Sequence, residues 1–261
     1  MPPMKKMTLD KLLQAQGFGT RKACQQMILS GEVSVAGEVV NEYDDYLEPE
    51  SLALSVNGEA WICREHIYLV LNKPANYECS RKPTHHPGVM SLLPPLFLAR
   101  NVQTVGRLDH DTTGLLLLSD DGEFIHRQSS PKHHVPKTYV ATTHDLVTAE
   151  LIAQLLTGVK LTDEPAPLAA LSCRQLDSHR LEIVLDQGKY HQVKRMLVAA
   201  GHHCEALVRT AIGSLRLDDL GLQHGAWCFL DESQLALLAR GPMAGTPRQE
   251  PGSEGSPPNR D

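Results

Sequence analysis

The chain has 261 residues, enough for one large domain or for a small one joined to a medium one. Its formal charge of −6 argues against a protein that grips nucleic acid by bulk positive charge, so any such binding must rest on local basic patches. Six scattered cysteines with no Cys-x-x-Cys pair suit a reducing compartment, and no apolar run is long enough to span a membrane.

The start of the chain, Met1 to Met7, carries Lys5 and Lys6 but no apolar region follows. That pattern predicts no secretory signal and a cytoplasmic protein. Thr8 is placed to cap a helix with Leu9, Leu12 and Leu13 on one face, which Gly17 ends. Thr20 is placed to cap a second, with Ala23, Met27 and Ile28 inward and Gly31 just past its end. Residues 32–35 then alternate, Ala36-Gly37 turns, and Val39-Val40 follows, which predicts a hairpin. Leu52, Leu54 and Val56 alternate up to Asn57-Gly58, a strong hairpin signal. The expectation is a compact module of two helices and a small sheet over residues 1–62, then a hinge at 63–66.

A strand at Ile67–Leu71 runs into Asn72-Lys73-Pro74, and Asn76 is a residue that tolerates left-handed backbone. Arg81 to Pro87 is a polar loop. The stretch from Val105 to Gly122 then dominates the pattern. It is a polar turn rich in Gly and Asp, followed by Leu115 to Leu118 and closed by Asp121-Gly122. Four leucines between turn signals predict a strand buried on both faces. Asp109 would then sit in a loop at the entrance to buried sheet, where a rigid frame can hold one carboxylate.

Beyond it, 123–130 predicts a short helix closed by Pro131, and Lys137 to Ala141 opens a β-rich segment. Leu151 to Leu156 looks helical, and Leu181 to Leu185 alternates as a strand. Asp186 to Leu197 is expected as a helix ending near Gly201, with Val193, Met196 and Leu197 on its buried face and Lys194 and Arg195 at the margins. Cys204–Arg209 and Trp227–Leu230 read as closing strands. From Gly241 the composition is Pro, Gly, Ser, Glu and Arg, which predicts a disordered tail over 241–261.

Thirteen histidines invite a metal reading, above all the pairs His85-His86, His133-His134 and His202-His203. Adjacent residues point different ways, and no pair has i,i+4 spacing with a third ligand, so no metal is expected. No Walker loop, Gly-x-Gly-x-x-Gly or Gly-x-Ser-x-Gly occurs.

Gly106-Arg107-Leu108-Asp109-x-Asp111-Thr112-Thr113-Gly114 with its leucines and Asp-Asp-Gly resembles the catalytic motif of pseudouridine synthases, in the branch that modifies ribosomal RNA and contains the small-subunit enzyme. Lys73-Pro74, Lys137-x-Tyr139 and Gly188-x-x-His191-Gln192-Val193-Lys194-Arg195-Met196 resemble further motifs of that family in its order. The N-terminal pattern resembles the S4 RNA-binding domain, with Lys11, Arg21 and Lys22 at its basic positions.

The resemblance implies an α+β fold, with the S4-like module followed by a synthase domain (67–240) whose central sheet is mostly antiparallel. It implies conversion of uridine to pseudouridine without cofactor or metal. Asp109 is then the catalytic residue, Tyr139 packs against the target base, and Lys194 is the cation that keeps Asp109 ionised. Arg107 would brace the space that the flipped base leaves. Lys73, Arg81, Lys82, Lys132, Lys137, Lys189, His191 and Arg195 are expected along the RNA groove.

The implied target is small-subunit (16S) ribosomal RNA, at uridine 516 of the family's substrate, in a partly assembled subunit and by a monomer. A large-subunit (23S) uridine is the first alternative. A non-catalytic RNA-binding or assembly protein is another, which intact Asp109, Tyr139 and Lys194 argue against. Whether Asp109 attacks the sugar or the base is open at this level.

Overall fold

In the computed structural model, which describes residues 5–239, Leu115 to Leu118 form the middle of a strand with both faces buried. Leu116 and Leu118 face one hydrophobic cluster, with Phe97, Val102 and Leu71, while Leu115 and Leu117 face another, with Phe124, Ile212 and Val70. The tail expected over 241–261 lies outside the described residues.

The N-terminal part runs β1 (Met7–Thr8), α1 (Leu9–Ala15), α2 (Arg21–Leu29), β2 (Val33–Val35), β3 (Glu38–Val39), β4 (Tyr46–Leu47), β5 (Ala53–Val56) and β6 (Glu59–Ile62). Thr20 accepts from the Ala23 amide and caps α2 as its position predicts. Thr8 precedes α1 but its hydroxyl donates to Asp10 Oδ1 (2.5 Å), so its side chain does not cap the helix. Strands β3-β2-β5-β6 form a small antiparallel sheet, and Asn57 and Gly58 turn β5 into β6 with positive φ angles of 52° and 80°. Leu9, Leu12, Leu13, Ile28, Val33 and Leu54 make one core beneath the helices.

Residues 63–66, expected as a hinge, are fastened. Gln16 donates to the Arg64 carbonyl and accepts from the Arg64 amide, both at 3.0 Å. Arg100 donates to the carbonyls of Arg64 and Glu65 and to Gln16, while its Nε binds Asp120. The Arg64 guanidinium lies 3.8 Å from the Phe229 ring centre. Trp61 packs against the rings of Phe18, Phe97 and Phe229. A Cβ at Gly17 would stand 2.6 Å from the Leu96 carbonyl oxygen, so glycine allows this close approach.

The second part continues with β7 (Tyr68–Lys73), α3 (Pro95–Ala99), β8 (Gln103–Thr104), β9 (Thr113–Ser119), α4 (Gly122–Ser129), β10 (Lys137–Thr143) and α5 (Ala149–Thr157). It ends with β11 (Ser172–Gln175), β12 (Arg180–Leu185), α6 (Gln192–Ala199), β13 (Cys204–Ile212), β14 (Leu215–Arg216), β15 (Trp227–Phe229) and α7 (Glu232–Leu237). Among the described residues one nine-stranded sheet runs β11-β12-β10-β13-β9-β7-β15, with β14 on β13 and β8 on β9. It is antiparallel except at β13–β9, where Val208 and Arg209 pair with Thr113 and Gly114. The fold is the expected α+β arrangement with a mostly antiparallel central sheet.

One helix differs from expectation. Residues 186–191 are loop, and α6 begins only at Gln192, because His191 takes a left-handed conformation (φ 46°) that no helix continues through. Val193, Met196 and Leu197 do form its buried face.

Candidate active site

The loop carrying Asp109 is held from below by a lysine. Lys73 ends β7 with its side chain wholly buried, and its ammonium donates to the carbonyls of Pro74 (3.0 Å), His110 (3.0 Å) and Thr112 (2.9 Å). All three N–H groups are used, so burial is compensated by hydrogen bonds. Burial still lowers its pKa below the ordinary lysine value, against the pull of Cys79, Asp111 and Asp109. This corrects the expectation that Lys73 contacts RNA: it organises the loop from inside.

Asn76, at φ 64°, donates its amide to the same His110 carbonyl (2.7 Å), and Leu108 donates to Cys79 Sγ (3.4 Å). Within the loop the Thr112 amide returns to the Asp109 carbonyl (3.1 Å). At its far end Gly114 (φ 101°) runs directly against β13, where a Cβ would stand 2.3 Å from the Arg209 carbonyl oxygen. Only glycine fits there.

Asp109 keeps about a quarter of its side chain exposed (26%) at the mouth of this frame. Its two oxygens meet two partners from the start of α6, an imidazole and an ammonium. His191 Nε2 is 3.0 Å from Oδ1, and Lys194 Nζ is 3.4 Å from Oδ2. Lys194 also donates to Asp111 (2.6 Å). Burial works against the Lys194 charge, but the bond to Asp111 and the charges of both aspartates hold its pKa above the usual value. Burial likewise opposes Asp111, and Lys194 outweighs it, keeping that carboxyl below its usual value.

The left-handed turn at His191 is what aims its ring at Asp109, and Tyr190 stacks on that ring at 3.8 Å. Tyr139, half-buried on β10, packs against both the cluster that holds Leu108 and the cluster that holds Val193 and Met196. It therefore lies between the residues flanking Asp109 and those flanking Lys194.

The structure thus brings Asp109, Lys194 and His191 into contact, and seats Tyr139 against their supports. The Arg107 side chain is exposed beside them. Arg81, Lys82 and Lys132 are exposed, as are Lys11, Arg21 and Lys22 on the N-terminal helices. Arg21 is already bound through Nε to buried Asp10 (2.7 Å). Lys189 pairs with Glu164, and Arg195 is occupied by Asp163 and the Tyr190 carbonyl. Lys137 is half-buried: burial and nearby Arg209 push its pKa down to about 8, with Asp186 opposing. It is a buried-edge cation more than a free phosphate contact.

Three features escaped the sequence reading. The contact of His191 with Asp109 depends on a left-handed residue that nothing in the local pattern announces. The inward role of Lys73 was hidden because lysine is rarely buried. Arg209 is buried on β13, donates Nε to the Leu115 carbonyl (2.7 Å) and leaves one terminal nitrogen without a partner. Its place in the alternation with buried Leu207 and Ala211 was the available signal.

Residues 67–199 match the family model for RNA pseudouridylate synthase, and residues 7–51 match the S4 domain. An uncharacterized RNA pseudouridine synthase of Bacillus subtilis is 35% identical, over 89% of this chain and 98% of its own. The ribosomal small subunit pseudouridine synthase A of Escherichia coli is 36% identical, over 88% of this chain and 99% of its own. A crystal structure of a pseudouridylate synthase superposes with a TM-score of 0.62 at 34% identity, covering 89% of this chain and 99% of that one. The chain belongs to the RNA pseudouridylate synthase family and carries an S4 domain at its N-terminus.

Proposed function

We propose that this synthase isomerises one uridine of 16S ribosomal RNA, at the position corresponding to uridine 516, within a partly assembled small subunit. The observation that carries the reading is Asp109: a carboxylate at the mouth of the frame, accessible to an extruded nucleotide and gripped on both oxygens. The target uridine leaves its stack, at a cost of a few kcal/mol. Asp109 acts as nucleophile, and Lys194 and His191, in contact with its two oxygens, orient it. The bond between N1 and C1′ breaks, the uracil turns, C5 bonds to C1′, and the bond to Asp109 breaks so that the carboxylate is regenerated. The C5 proton is lost and N1 gains one, so no redox partner is required.

Tyr139 offers an aromatic face to the turning base and a hydroxyl for proton movement. Arg107 fills the gap in the RNA stack. The small-subunit target is supported by relatives that bear that name over nearly their full length. The protein acts as a monomer in the cytoplasm. Exposed Arg81, Lys82 and Lys132, with Lys11, Arg21 and Lys22 of the S4 domain, supply phosphate contacts that an overall charge of −6 does not.

Pseudouridine mapping of ribosomal RNA from cells lacking the protein tests this. Loss of one small-subunit site, restored by wild type and not by Asp109→Asn, is the expected result. Loss of a large-subunit site keeps the chemistry and moves the target.

A further inference from the structure

Beside the catalytic loop the ring of His86 lies parallel to that of His110, with centres 4.5 Å apart and planes 8° from parallel. His110 adjoins Asp109 and is exposed, and His86 is half-exposed, so the pair is a flat aromatic surface at the rim of the active site. The loop that delivers His86 is built to stay in place. The Glu78 carboxylate accepts from three successive amides, those of Thr84 (3.2 Å), His85 (2.8 Å) and His86 (2.9 Å). The loop is also closed at its base, where the Glu78 amide binds the Pro87 carbonyl and the Val89 amide binds the Glu78 carbonyl. Arg81 and Lys82 at its tip are exposed.

A flat, pre-ordered aromatic surface next to cations is what single-stranded nucleic acid recognises: base on ring, phosphate on cation. The need for it follows from the chemistry. Extruding one nucleotide exposes the faces of its two neighbours; Arg107 covers one side of the gap, and a protein ring that receives the other neighbour lowers the cost of extrusion further. We propose that the His86–His110 stack seats the nucleobase of a nucleotide adjoining the target uridine, with Glu78 as the residue that positions His86. The inference rests on the proposed use of this site on RNA and adds a second base contact to it.

The test uses the full chain and a short RNA that the wild type converts, carrying 2-aminopurine beside the target uridine. Bound to wild type, the probe stays quenched by stacking. Bound to His86→Ala, its fluorescence rises several-fold, and KM rises about tenfold with kcat little changed. His86→Phe, which keeps a planar ring, retains the quenching and the low KM. Equal fluorescence on wild type and His86→Ala overturns the proposal. So does a fall in kcat at unchanged KM, which would make the pair a prop for the catalytic loop alone. Failure of wild type to modify 16S RNA would instead overturn the proposed target, since the probe experiment can be run on any RNA that the enzyme converts.

Discussion

Lys194 Nζ stands 2.6 Å from Asp111 and 3.4 Å from Asp109, so one ammonium serves two carboxylates and lies nearer the one assigned no chemistry. Asp111 thereby fixes where the cation sits. Asp111→Asn should lower kcat by about tenfold and Lys194→Ala by about a hundredfold, the range that loss of charged hydrogen bonds implies. Single-turnover rates on a convertible RNA give both values. Equal effects would mean that Asp111 and Lys194 act only as a pair.

Gly114 meets the β13 backbone at a separation no side chain can occupy, with φ at 101°. Gly114→Ala should therefore cost more than about 2 kcal/mol, through both strain and displacement of the β9–β13 junction. For a domain of this size that is a fall in Tm of at least about 4 °C. A thermal melt within a degree of wild type would contradict the close approach.

Lys73 separates the two roles a basic residue can have here. Lys73→Met removes the donor to the Pro74 and Thr112 carbonyls and one of the two donors to His110, so kcat should fall more than about tenfold as the Asp109 loop loosens. RNA affinity should stay near that of wild type, because the ammonium does not reach the surface. A large rise in Kd with kcat intact would restore the RNA-contact reading.

The exposed basic residues make the opposite prediction. Binding of RNA should weaken steeply with salt despite the net charge of −6. Arg81→Ala with Lys82→Ala should flatten the slope of log Kd against log salt by about one to two. A salt-independent Kd in wild type would remove both residues from the interface.

Asp10 sets an acid limit on the N-terminal module. Burial pushes its carboxyl up, but bonds from Thr8, Arg21, Gln25 and the Lys11 amide outweigh it and bring the pKa down to about 2. A depressed folded-state value stabilises above the ordinary carboxylate range, and that stabilisation fades as pH falls from about 4 toward 2. Asp10→Asn should melt several degrees lower than wild type at pH 7, with the difference closing below pH 3. A pH-independent difference would show that lost packing, not charge, is responsible.

How much of this was legible in the residues alone depends on where the information lies. The double-faced burial of Leu115–Leu118, the hairpin at Asn57-Gly58 and the left-handed Asn76 follow from local pattern and turn chemistry, and the structure has all three. The motif around Asp109 marked the loop that the structure brings against Lys194 and His191. Short elements such as α3 and β8 were not legible, since a few residues carry too little periodicity and their existence depends on the core they join. The fastening of residues 63–66, expected as a hinge, was hidden for a related reason. It comes from Gln16 and Arg100, far away in sequence, and no local rule couples them. His191 joins Asp109 for the same kind of reason, as a contact between a loop and a distant helix start.

The buried Lys73 ammonium has one more use, as a reporter. With every N–H engaged by a carbonyl and no surface exposed, it can meet an amine-reactive reagent only when the loop around Asp109 opens. The rate at which this one lysine is acylated, followed by peptide mass spectrometry, therefore measures how often the catalytic loop leaves its frame. RNA bound across the loop would slow that clock, so one native atom can time the motion of the site without any introduced label.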